Sequence, residues 1–129
     1  MPFKTKILFT CFIVVAFDAT ASLVSRRLEV EYVYFLFLSL VIYVTFGYWG
    51  ALNQGFVYGM LLGAIAGFTD STAGWFVSRL IGPFIQPKTP PVNAIVVAIT
   101  IVTVTLLALA LGSVGAVLCK FVGQTRSDA

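Results

Sequence analysis

Two aspartates, Asp18 and Asp70, stand inside long apolar stretches, well short of the nearest basic residues. A carboxyl in such a place can hold a proton, bind a cation, or donate one hydrogen bond as glue between helices. Ionised at a bilayer centre it costs at least ~2.5–3.5 kcal/mol, and two that face each other cannot both carry charge cheaply. Their settings match. Asp18-Ala19-Thr20-Ala21-Ser22 leads to Val24-Ser25-Arg26, and Asp70-Ser71-Thr72-Ala73-Gly74 leads to Val77-Ser78-Arg79, with one extra residue in the second copy. On a helix each aspartate lies roughly 12–14 Å below the interface that its arginine marks. The expected proton- or cation-binding residues are therefore Asp18 and Asp70.

Small and hydroxylated residues share their faces. Gly55, Gly59, Gly63 and Gly67 recur at every fourth position, a stripe that lets another helix backbone come close. Asp70 and Gly74 extend it. Ser22, Ser71 and Thr105 are expected to line a mildly polar seam beside the aspartates, and Gly112 to join the packing glycines. Nothing points to a metal or a cofactor. The chain has no histidine, which removes the commonest proton shuttle and metal ligand.

The elements that carry these residues are long and apolar. Of 129 residues 60% are hydrophobic and 10% charged, with a mean hydropathy of +1.02. Water-soluble domains run near 45–50% apolar and about 25% charged, so lipid is the expected solvent. The expected fold is an all-α integral membrane protein, residues 1–129 forming one domain. Four transmembrane helices, at about 7–25, 32–49, 56–81 and 94–122, would make a compact bundle, followed by a polar tail at 123–129. Tyr32, Tyr34, Tyr48 and Trp49 flank the second span as interfacial belts. A proline-rich loop, Gly82 to Pro91, separates the third span from Asn93, the expected N-cap of the fourth. If the echo around the two aspartates is a duplication, the bundle is a parallel two-helix repeat. Spans one, three and four carry the small and acidic positions and are expected to converge; span two, crowded with Phe and Tyr, is expected to face lipid. The third span, about 39 Å as a straight helix, should tilt or break.

The first span has a rival reading. Met1–Lys6, Ile7–Phe17 and Ala19-Thr20-Ala21 also resemble the three regions of a signal peptide. Asp18 fits that reading poorly, and the internal echo favours a retained helix. Orientation is balanced, because Lys4, Lys6, Lys120 and Arg126 on one face oppose Arg26, Arg27, Arg79 and Lys88 on the other. The working expectation puts both termini in the cytoplasm, in a cell or inner membrane. The scattered basic residues suit lipid headgroups as partners and do not form a nucleic-acid patch. Cys11 and Cys119 read as small buried hydrophobes.

Three functions fit this pattern. The first is a proton- or cation-linked transporter or channel subunit working as a homo-oligomer, since four short spans rarely enclose a pathway alone. The second is a non-catalytic accessory subunit of a larger membrane complex, docked through the glycine stripe. The third is a diaspartyl membrane enzyme. Neither aspartate sits in the Gly-x-Gly-Asp context of intramembrane aspartyl proteases, so a non-enzymatic role is expected.

Overall fold

The computed structural model describes residues 1–84 and 93–127, and among them all regular structure is helical. Helix α1 (Phe3–Leu28) begins after Pro2, which lacks the amide a helix would leave unpaired there. It closes at Glu29 in a left-handed conformation, with Arg26 and Arg27 placed favourably in the last turn. A 3₁₀ turn, Tyr32–Phe35, feeds α2 (Leu36–Ala51). Asn53 and Gly55, both at positive φ, turn the chain into α3 (Phe56–Thr69). A π-helical turn over Asp70–Gly74 then joins α3 to α4 (Trp75–Ile81). Helix α5 (Ala94–Ser127) starts at Asn93, whose Oδ1 accepts the Val96 amide at 2.9 Å.

Three helical runs are long and apolar enough to cross a membrane: Phe3–Leu28, Tyr32–Ala51 and Ala94–Gly123. Large apolar side chains such as Leu8, Phe12, Phe37, Leu80 and Ile95 are exposed around the molecule. That surface is consistent with a membrane protein and would be a liability in water. The β-branched stretch Ile95–Thr105 is helical, as its length requires. Of the proline-rich loop, Gly82, Pro83 and Phe84 are non-helical, and its remainder, residues 85–91, lies outside the described residues.

The tightest packing joins α2, α3 and α5. A Cβ on Gly63 would stand 2.6 Å from the Cα of Gly112 and 2.8 Å from the carbonyl of Ala108. One on Gly59 would strike Gly47 of α2 and Ala116 of α5, and one on Gly67 would strike Ala108. Glycines thus let three backbones meet where any side chain would hold them apart. Helix α1 lies outside this trio, against α3, the π turn and α4. Its inward line is Lys6, Thr10, Val14, Asp18 and Ser22, one residue per turn, with Ala21 and Ser25 beside it.

Several expectations change here. The second span is central: Tyr43 is 1% exposed and Phe46 6%, and its Gly47 and Gly50 pack against neighbouring backbones. Its aromatics outnumber its small residues, but Ser39, Tyr43, Gly47 and Gly50 share one face, and that face is buried. The fourth span packs on the second and third and leaves the first aside. Gly55 is no packing glycine: nothing lies within 4 Å of a Cβ there, and its φ of 97° serves the turn. Of the two alternatives for the long third segment, the chain does not break: the π turn keeps it helical from Phe56 to Ile81. Residues 123–127 of the expected tail continue α5, since no glycine pair or proline stops it.

Candidate functional site

Asp18 and Asp70 meet where α1 crosses the π turn. Asp18 is 1% exposed, and its carboxyl rests on Gly74, filling the space a Cβ would need. The two carboxyls are close neighbours across this crossing, near enough for the charge of each to act on the other. Two neighbouring carboxyls in an apolar setting cannot both carry charge cheaply.

Each carboxyl also has a tyrosine donor. Tyr32, at the head of the 3₁₀ turn, donates to Asp18 Oδ1 at 3.0 Å and lies 3.1 Å from Ser78 Oγ. Tyr43, from the middle of α2, donates to Asp70 Oδ2. The remaining oxygen of Asp18, Oδ2, is buried and receives no hydrogen bond among the described residues. The cluster therefore draws side chains from α1, the 3₁₀ turn, α2, the π turn and α4.

The π turn explains how the echoed segments reconcile their different lengths. A π turn accommodates one additional residue in a helix, and the Asp70 copy has one residue more than the Asp18 copy before its Val-Ser-Arg. Ser25 and Ser78, the serines of the two copies, are both buried. Widening the turn loosens backbone pairing, and hydroxyls make up for it. Ser71 donates to the carbonyl of Gly67 at 2.8 Å, and Thr72 to that of Phe68 at 2.5 Å. Such substitution is what makes an irregular turn tolerable in an apolar setting.

Above the cluster, Ser25 ties two connecting segments together. Its hydroxyl donates to the Val30 carbonyl at 2.6 Å and accepts the Phe84 amide at 3.1 Å. Arg26 donates to the Ile81 carbonyl at 3.0 Å, capping α4. At the opposite end of α1, Lys6 donates to the carbonyls of Trp49 and Leu52 at 2.7 and 3.2 Å, capping α2. Cys11 Sγ pairs with Thr69 Oγ1 at 3.4 Å, one residue before Asp70.

Of the residues expected at the site, Asp18 and Asp70 come together, with Gly74 beneath them and Ser22 one turn along α1. Ser71 and Thr105 do not join them. Ser71 is tied to its own helix and lines a groove of about 180 Å³ with Trp75, Val96, Val97 and Thr100. Thr105 stands behind Gly67 on the α5 side. Tyr32, Tyr43 and Ser78 were not expected. A signal for the tyrosines exists: eleven residues apart, Tyr32 and Tyr43 project within about 20° on a helix, and a buried tyrosine needs a hydroxyl partner.

Among the described residues no group of three or more Asp, Glu, Cys or His side chains could hold a metal ion. No known family profile, curated protein or solved structure matches the chain.

Proposed function

We propose that the chain is a four-span membrane protein, both termini cytoplasmic, that works as an oligomeric proton- or cation-linked transporter or channel subunit. The observation that carries this reading is the carboxyl pair of Asp18 and Asp70, each with its own tyrosine donor. The continuous helix from Phe56 through the π turn to Ile81 supplies the fourth crossing. A carboxyl pair held among apolar helices, Asp18 buried and Asp70 half-buried, can exchange one proton, or a proton for a cation, at modest cost, because the site never holds two bare charges. The tyrosine hydroxyls stabilise whichever carboxyl is ionised.

The accessory-subunit reading loses its docking face, since Gly59, Gly63 and Gly67 are covered by α2 and α5 of the same chain. Carboxyl pairing also suits a water-activating enzyme, a reading the same preparation can test. The purified chain, reconstituted in liposomes with an internal pH dye, should pass protons or exchange them for an alkali cation. Asp18→Asn and Asp70→Asn should each lower that flux by about tenfold or more, a barrier increase of at least ~1.4 kcal/mol. Unchanged flux in both variants would sink the proposal, and cleavage of a membrane peptide lost in both would move the site to the enzymes.

A further inference from the structure

Many helical hydroxyls in this protein follow a rule that three buried ones break: Thr10 and Ser22 on α1, and Thr105 on α5. Thr20, Thr45, Ser71, Thr72, Thr100 and Ser113 each donate to the carbonyl one helical turn before them. That is how a hydroxyl satisfies itself where no water reaches it. Thr10 and Ser22 do not, although both are 0% exposed and their oxygens find no partner among the described residues. They stand on the inward line of α1, two turns before and one turn after Asp18, whose own Oδ2 is likewise without a donor. Around them the seam is polar: Cys11 and Thr69 pair beside Thr10, and Ser25 follows Ser22.

We infer that the inner face of α1 is a hydrated track, with water molecules held by Thr10 and Ser22 on either side of the aspartate pair. Three unpartnered oxygens along one helical line ask for a small ligand that donates and accepts hydrogen bonds, and water is such a ligand. The Lys6 end reaches Asp70 through Thr10, Cys11 and Thr69; the Arg26 end reaches Asp18 through Ser25 and Ser22. Val14, buried between Thr10 and Asp18, is the one apolar residue on the line. The track's use as a proton route rests on the transport reading, but its hydration does not.

Silver ion is the probe, because it is small and reacts with thiolates, which form in water and not against lipid. In a chain carrying Cys11→Ala and Cys119→Ala, single Thr10→Cys and Ser22→Cys variants are compared with lipid-facing Leu8→Cys, Phe12→Cys and Leu23→Cys. Reaction is read in liposomes as loss of later maleimide labelling. The seam positions should react about tenfold faster or more than the outward ones. Equal or slower reaction overturns the track, and so does fast reaction at only one of the two seam positions, which would leave a one-sided vestibule. Native Cys11, tested with Cys119→Ala alone, gives the same reading for the Lys6 end without altering the seam. Fast labelling without flux sinks only the transport reading; flux with slow labelling sinks only the track.

Discussion

Tyr43 does for Asp70 what Tyr32 does for Asp18, but from a more enclosed position. Removing its hydroxyl leaves the half-buried Asp70 carboxyl without its donor, a loss of about 1 kcal/mol. Tyr43→Phe should therefore lower the melting temperature in detergent, and Tyr43→Phe combined with Asp70→Asn should cost less than the sum of the two. A calorimetric double-mutant cycle measures that coupling, and strict additivity would show that the contact contributes nothing. Both aspartates were legible in the sequence because a carboxyl in an apolar run is rare and has few explanations. The tyrosines left a fainter signal, their eleven-residue spacing, because an aromatic residue in an apolar run is common and its facing neighbour is what assigns its role. Ser71 lies away from the carboxyls because sharing a helical turn with Asp70 does not mean sharing its side of the helix, and Thr105 because α5 packs on the far side of α3 from α1.

At the scale of elements, the π turn separates the geometry of the site from the stability of the fold. The glycine contacts of α3 at Gly59, Gly63 and Gly67 all precede it, so they do not depend on how Asp70–Gly74 is wound. Deleting Ala73, an exposed residue of the turn, restores the length of the Asp18 copy and should convert the turn to ordinary α-helix. Helix content by circular dichroism should persist while flux drops about tenfold or more, as Asp70 turns away from Tyr43. Full flux in the deletion would make the π turn a packing detail. The third span's excess length was visible in the sequence, and so was the extra residue in its echo. Their common resolution was not, because a break, a tilt and a π turn all absorb surplus residues. The centrality of α2 was hidden by composition: averaging over a helix conceals a face as narrow as Ser39, Tyr43, Gly47 and Gly50.

For the whole molecule, the apolar runs and their turns were legible because lipid leaves helix as the only open structure. Which runs pack together was not, since that depends on backbone approach at Gly47, Gly63 and Gly112 together. The evenly divided basic residues carry an expectation of their own. Arg27 and Lys4 are exposed at opposite ends of α1. Lys4→Ser and Arg27→Ser should shift the inserted population in opposite directions, because Lys and Arg bias sets orientation. Paired C-terminal reporters, one active on each side of the membrane, count the two populations, and equal ratios in both variants would contradict the expectation. The two caps made by α1 bear on the membrane itself. Lys6 is tied to the end of α2 on one face and Arg26 to the end of α4 on the other. Between them α1 rises about 30 Å, near the hydrocarbon thickness of a typical bilayer. On the proposed topology, α1 fixed at both ends is a ruler: in a thicker or thinner bilayer it is the lipid that must stretch or compress to match, so chain length in the surrounding lipid becomes a force on the cluster along it.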